Sequence, residues 1–319
     1  MLSLSTTVVI TCYAEGELVW EAVQSAWRQS IPPTEVIVVY DASGDAATIQ
    51  VCERIVTQNL GTVIWRGQNG GTAAARNQGF AAAKGEILIP LDGDDLLPEE
   101  AISHITQTFA AHPEAGFIYG AYRKLCTSNN TATKEEIVTI ADIGDISLGA
   151  MLRAKPFSLS SQWRLIGTTP LRRSLWQKIG GYDTEFGIDD LHDVEFWIRA
   201  IATGAQGYAV ASNPALIYTW RKYLGSNSRR VSPLAWARVA AKHYDIYVNL
   251  GIEYRALELL LLGSKWESDQ AKINDYGKRL WQQFWWQFHQ GHWQLTSLVV
   301  LILPVGLLRW LGEKLQKRR

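Results

Sequence analysis

Cysteine is scarce in this chain: Cys12, Cys52 and Cys126 are the only three in 319 residues. No two of them stand at metal-ligand spacing, and three widely separated thiols form no disulfide framework, a pattern that suits a reducing compartment. An excess of charge of one sign is also lacking. The 31 Lys and Arg are cancelled by 31 Asp and Glu, so the chain as a whole lacks the basic surplus of a nucleic-acid binder, and no nucleic-acid partner is expected. There is no internal repeat and no low-complexity tract. The opening residues, Leu2–Thr11, read as a strand rather than as a charged-then-apolar leader. No apolar run is long: the densest, Leu298–Leu308, has 11 residues and contains Pro304 and Gly306, short of the roughly 20 needed to span a bilayer. What is present is a core-forming composition, 47% hydrophobic and 19% charged, with 14 Trp of which five fall between Trp281 and Trp310. The length allows one large domain with an appendage, or two small domains.

The first 120 residues alternate strand and helix. Apolar strands are expected at Thr7–Cys12, Val36–Tyr40, Thr62–Trp65, Ile87–Leu91 and Gly116–Tyr119. Between them, helical spacing recurs from Leu18 to Trp27, over Ile49–Val56, over Thr72–Ala83 and over Pro98–Ala111. Repeated β-α-β units with nearly all-apolar strands predict a parallel sheet covered on both faces, with ligands bound beyond the carboxyl ends of its strands. From Ala121 to about Asp189 the pattern loosens. Val194–Ala202 and Pro233–Leu262 read as helices.

The fourth strand runs into Asp92-Gly93-Asp94-Asp95, three carboxylates in four residues. Carboxylates at i and i+2 across a glycine can converge on one hard cation, and Mg²⁺ or Mn²⁺ needs only one or two of them beside phosphate oxygens and water. The alternative is an Asx-rich turn with solvated charges. Asn69-Gly70-Gly71-Thr72 opens a small-residue helix that carries Arg76; its backbone N–H groups suit a phosphate, or its alanine face packs closely on the sheet. Asp193 stands at the start of a helix, as a general base favoured by the helix dipole or as the N-cap of Val194–Ala202.

Residues 280–308 contain no Asp, Glu, Lys or Arg, and the last 11 residues carry five basic side chains against Glu313, +5 − 1 = +4. A single span would put this basic tail on the far side from a cytosolic domain, against the positive-inside tendency. A re-entrant or in-plane segment on anionic lipid removes the conflict. A buried C-terminal helix is the other reading.

Taken in order, several segments resemble glycosyltransferase family 2, the inverting nucleotide-sugar transferases of GT-A fold. They are Tyr13, Asp41-Ala42-Ser43, Asn69 to Asn77, Ala83 to Ile87 leading into Leu91-Asp92-Gly93-Asp94-Asp95, Pro170 to Leu175, Ile179 to Asp183, His192 to Trp197, and Arg221 to Ser228. The resemblance covers roughly residues 5–228. It implies an α/β GT-A fold, a Rossmann-like mixed sheet with helices on both faces, and a C-terminal helical region. The expected domains are 1–228 catalytic, 229–294 a helical extension, and 295–319 a membrane-associated segment with a basic tail.

By the same resemblance Tyr13, Glu15 and Asp41 line the nucleotide, with Asp41 accepting from a base N–H. Asn69 and Arg76 lie near the diphosphate, with Arg221 and Lys222 as further phosphate partners. Asp92, Asp94 and Asp95 hold Mn²⁺ or Mg²⁺. Asp193 is the general base, with Glu195 and then Asp189 and Asp190 as alternatives. The implied partners are a nucleoside-diphosphate sugar, a glycan or lipid-linked acceptor, and the inner face of a membrane. Four positions depart from the family pattern: Ala14, Tyr40, His192 and Tyr223, the last where some members place a metal-binding His. Those departures leave open a decayed glycan- or nucleotide-sugar-binding protein. A nucleotidyltransferase is disfavoured because Tyr13-Ala14-Glu15-Gly16 lacks a basic residue.

Overall fold

The computed structural model describes residues 4–127, 133–153, 168–186, 191–211, 215–222, 233–290, 295–308 and 310. The expected elements Asp189, Asp190, Tyr223 to Ser228 and the tail beyond Trp310 lie outside the described residues. Two compact units are present: Met1–Gly144 with Arg164–Ile188 and His192–Ser228, and Asp145–Trp163 with Asp189–Leu191 and Arg229–Arg319.

The first unit alternates as its apolar pattern requires: β1 Thr6–Cys12, α1 Glu17–Trp27, β2 Glu35–Tyr40, α2 Ala46–Thr57, β3 Thr62–Trp65, α3 Gly71–Ala82, β4 Ile87–Asp92, α4 Ala101–Ala111 and β5 Ala115–Tyr119. The strands are apolar on both faces because both faces are covered. Val8, Ile10, Val36, Val38, Ile87 and Ile89 share one core with α1, α2 and α4. The alternate residues Val9 and Val39 meet α3, where a Cβ on Gly79 would lie 2.3 Å from Val9 Cγ1 and 3.0 Å from Val39 Cγ2. The small-residue helix is therefore a close-packing device. Gly79→Ala is expected to cost about 1–3 kcal/mol by overpacking, read as a lower urea midpoint; an unchanged midpoint would contradict the contact.

Beyond β5 the chain forms β6 Ala121–Cys126, β7 Lys134–Val138, α5 Ile140–Ile143, α6 Leu148–Leu152, β8 Leu171–Arg172, α7 Arg173–Ile179, α8 His192–Ala202, β9 Gln206–Ala209 and β10 Leu216–Lys222. The main sheet runs β3-β2-β1-β4-β8-β5-β9. Its strands are parallel except β8, which is antiparallel to both neighbours. The expectation of a wholly parallel sheet is thus corrected, and the mixed sheet stands. A second sheet has the order β10-β6-β7. Register aligns the carboxyl ends: Cys12 pairs with Tyr40, Tyr40 with Trp65, and Thr11 with Asp92. Tyr13, Asp41, Arg66 and the Asp92–Asp95 turn consequently line one edge.

The second unit holds α9 Pro233–Lys242, α10 Tyr244–Asn249, α11 Glu253–Glu267, α12 Gln270–His289 and α13 Leu295–Ile302. The continuous helix expected over Pro233–Leu262 is broken near His243 and at Gly251, whose φ of 67° lies in the left-handed region. Leu257, Leu261, Leu262, Leu280, Val300 and Leu308 form its core. Residues 295–308 are therefore partly core, and among the described residues no helix is long and apolar enough to cross a membrane.

Candidate active site

β4 delivers Asp92 to the sheet edge, where the Arg76 Nη2 of α3 donates to its Oδ1 at 2.6 Å. Arg76 is only 3% exposed. Burial disfavours its charge, but the fields of Asp92 and its neighbours outweigh that and raise its pKa. Its other nitrogen, Nη1, lies 3.2 Å from His192 Nε2. Burial, and then the charge of Arg76, hold His192 down at about 3, so the imidazole is neutral and Nε2 accepts. One guanidinium thus joins the strand-end carboxylate to the residue beside Asp193. The Tyr182 ring lies 5.9 Å from Arg76 Cζ and stacks on Phe196 at 4.2 Å.

α8 begins two residues before its expected start, which puts Asp193 inside the first turn instead of at the N-cap. Its Oδ1 accepts from the Val194 N–H at 2.8 Å. Burial pushes the Asp193 carboxyl up to about 6, against that hydrogen bond and the nearby Arg76. A carboxylate with a pKa near working pH can take a proton and give it up again, which is the property a general base needs.

Glu195 has a different use. It is fully buried, and its carboxylate is gripped by Arg199 through Nε at 2.8 and 3.0 Å and Nη2 at 2.8 Å. Arg199 also donates to the carbonyls of Ile179 at 2.5 Å and Gly181 at 2.7 Å. This pair braces the Ile179–Gly181 bend, so both Glu195 oxygens are engaged within the fold.

The three-aspartate cluster is likewise reduced. Asp95 turns inward: Tyr218 Oη donates to its Oδ2 at 2.7 Å and the Arg221 N–H to its Oδ1 at 2.6 Å. Burial, then the charges of Asp92 and Asp94, push the Asp95 carboxyl well above the usual carboxylate range. Among the described residues no group of three or more His, Cys, Asp or Glu side chains is gathered to hold a metal ion. Asp92 and Asp94 remain, a donor set that fits Mg²⁺ or Mn²⁺ completed by phosphate and water. Arg221, expected as a phosphate partner, also braces the turn: its guanidinium donates to the Asp94 carbonyl and pairs with Glu21, while Nη2 has no hydrogen-bond partner among the described residues. Paired backbone hydrogen bonds between Leu96 and Thr219, 2.8 and 3.1 Å, fasten the same turn to β10.

Among the residues expected to line a nucleotide, Asp41 accepts from the N–H groups of Gly70 at 3.0 Å and Gly71 at 2.7 Å and pairs with Arg66 Nε at 3.0 Å. The two glycine N–H groups engage a lone pair on each oxygen, and the Arg66 cation lies beside Oδ1. Asp41 therefore pins the start of α3 rather than offering an unengaged acceptor to a base. Gly71 adopts φ 76°, the left-handed region natural to glycine. Asn69 joins this turn, its Oδ1 accepting from the Gly71 N–H at 2.9 Å. Tyr40 Oη accepts from the Gly44 N–H at 2.6 Å and so shapes the following turn. Tyr13 presents a ring 41% exposed, a usable stacking face. Its N–H donates to Glu15 Oε2 at 2.5 Å, while burial pushes the Glu15 carboxyl up.

Sequence reasoning passed over Asn77, which accepts from the Tyr182 N–H at 2.8 Å and donates to the Tyr182 carbonyl at 2.7 Å. Arg76 and Asn77 are adjacent, so one turn of α3 holds both Asp92 and the Gly180-Gly181-Tyr182 bend. The motif Ala75-Arg76-Asn77 was the available signal. Tyr218 and Arg66 carried none, because Asp95 and Asp41 are remote in sequence, whereas Glu195 and Arg199 stand at the i,i+4 spacing of a helical ion pair.

The family described as Glycosyl transferase family 2 matches residues 7–181, more than half of the chain. Glycosyltransferase GlyG of Streptococcus pneumoniae is 31% identical over 117 residues, which are 36% of this chain and 38% of that protein. Poly-beta-1,6-N-acetyl-D-glucosamine synthase of Staphylococcus epidermidis is 24% identical over 183 residues, 57% of this chain and 43% of that protein. The chain thus spans less than half the length of either relative. Among solved structures, S. aureus TarS 1-349 in complex with UDP-GlcNAc superposes with a TM-score of 0.59 at 18% identity, over 87% of this chain and 76% of that one. The likeness to TarS is one of fold, and the family match covers the elements that carry Asp41, Arg76 and Asp92. The chain belongs to glycosyl transferase family 2.

Proposed function

We propose that the protein transfers a sugar, with inversion, from a nucleoside diphosphate to a hydroxyl of a glycan or lipid-linked acceptor in polysaccharide assembly. The observation that carries this reading is the buried Arg76, which joins Asp92 to His192 and so brings the strand-end carboxylate beside the α8 carboxylate Asp193. Asp193 takes the proton of the attacking hydroxyl at a carboxylate oxygen, and burial supplies the basicity. Arg76 holds Asp92 in place, and the Tyr13 ring offers its face to the base. Asp92 and Asp94 would hold Mn²⁺ or Mg²⁺, whose chemistry there is neutralisation of a departing diphosphate. We also propose that the transfer takes place at the cytoplasmic, inner face of a membrane, a reading supported by the basic last 11 residues.

The test is a panel of sugar nucleotides with Mn²⁺ or Mg²⁺, beginning with UDP-GlcNAc because the TarS fold accommodates it. Release of nucleoside diphosphate, by hydrolysis or transfer, is the expected result. Release of pyrophosphate would indicate a nucleotidyltransferase, and binding without turnover a decayed site. Excess EDTA is expected to abolish release; full activity in its presence would remove the metal role from Asp92 and Asp94.

A further inference from the structure

Helices α12 and α13 of the second unit expose a set of large apolar side chains. Helix α12 changes character along its length: Lys272, Asp275, Lys278 and Arg279 lie in the first half, and no charged side chain follows until Arg309. Leu280, Phe284 and Gln287 are buried and mark the core side of the helix. Trp281, Trp285 and Phe288, at i, i+4 and i+7, share one flank at 100° per residue. Their rings interlock, with centroids 5.6 Å apart for Trp281 and Trp285 and 5.3 Å for Trp285 and Phe288. Trp281, Trp285 and Trp286 are exposed, as are Leu295, Ile302, Leu307 and Trp310, with Trp286 at 63% and Leu295 at 74%.

This apolar surface has a fixed support. The hydroxyls of Thr296 and Ser297 donate to Glu258 of α11 at 2.9 and 2.6 Å. Lys265 Nζ donates to the carbonyls of Val300, Leu301 and Leu303 at 2.5 to 3.2 Å, closing the end of α13. The eight residues of α13 are therefore tied to the unit and cannot serve as a span.

Soluble monomers seldom expose this many large apolar side chains on two neighbouring helices. We infer that the α12–α13 surface docks in the plane of an anionic lipid surface. Tryptophan suits the headgroup level, with an apolar ring and one N–H donor. The adjoining sequence supplies complementary charge: Arg309, Lys314, Lys317, Arg318 and Arg319 against Glu313. Each basic residue near such a surface strengthens binding roughly fivefold. The same one-signed charge opposes the pairing of two copies through this surface. The inference rests on the membrane reading above and not on the transfer chemistry.

The test uses the purified full chain in co-sedimentation with phosphatidylcholine vesicles, with and without phosphatidylglycerol, and tryptophan quenching by brominated acyl chains. Binding and quenching are expected with phosphatidylglycerol. Replacing Lys314, Lys317, Arg318 and Arg319 together by Gln is expected to weaken binding at least about tenfold. Trp286→Glu with Ile302→Glu, at exposed positions, is expected to weaken binding by a similar factor of about ten and to reduce quenching, with an unchanged unfolding midpoint. Absence of wild-type binding, or variants that bind as the wild type does, would overturn the inference. So would a dimer that Trp286→Glu dissociates and that binds no vesicle, which would place a second copy on this surface. Donor hydrolysis is measured without vesicles, so failure here leaves the transferase reading to its own test.

Discussion

Asp193→Asn is expected to lower turnover by on the order of 10²–10⁴ at saturating donor and acceptor, with donor KM little changed. The substitution keeps the size and the hydrogen bond to the Val194 N–H but removes the proton acceptor. The pH dependence gives a second readout. Burial raises the Asp193 carboxyl to about 6. A base works only when ionised, so kcat/KM should rise with pH through about 6 and level off above it. Below that value the carboxyl is protonated and activity falls. Asp193→Asn should leave a residual rate without this limb. A variant rate near wild type, or a limb retained in the variant, would assign the base elsewhere.

Arg199→Ala is expected to destabilise the protein by about 3–5 kcal/mol, because it strands the fully buried Glu195 carboxylate without its charge partner. The loss would appear as a lower urea midpoint of the first unit. Replacing both residues by Leu removes the stranded charge and should recover part of that stability. Glu195→Gln separates bracing from catalysis. If Glu195 braces, the variant loses stability and keeps most of its kcat at low temperature; a large loss of kcat with an unchanged midpoint would restore Glu195 as a base.

The alternation of β1 to β5 with α1 to α4 was legible because burial on both faces makes β1, β2 and β4 nearly continuous apolar runs, flanked by helical spacing. β8 was not legible: two residues, Leu171–Arg172, carry no period, yet they insert antiparallel between β4 and β5. β6, β7, β9 and β10 were hidden for a related reason. β7 is largely charged and exposed, β9 has four residues, and β6 and β10 mix apolar with basic side chains, so none of them reads as an apolar run. In the second unit the apolar spacing of Pro233–Leu262 was correct, but the breaks at His243 and Gly251 depend on how the helices fold back.

At the site, Asp92 and Arg76 were legible from strand-end position and local motif. The direction of each carboxylate was not. Asp95 resembled its neighbours, but its partners come from Tyr218 and Arg221, 123 and 126 positions downstream. Asp41 resembled a nucleotide acceptor, but its oxygens hold Gly70, Gly71 and Arg66.

The sequence by itself determined the alternation of β1 to β5 with α1 to α4, its order, and that acidic residues would collect at the carboxyl ends of parallel strands. Those properties follow from short-range periodicity and the burial of apolar side chains. Only the tertiary structure decided that Asp95 and Glu195 face inward, that Arg221 and Arg199 are braces, and that Arg76 joins Asp92 to the start of α8. In a poorly solvated interior a charged group takes whichever partner the fold places within about 3 Å, and for Asp95, Arg221 and the Arg76–His192 contact that choice is made by strand order and register across more than a hundred residues of intervening chain.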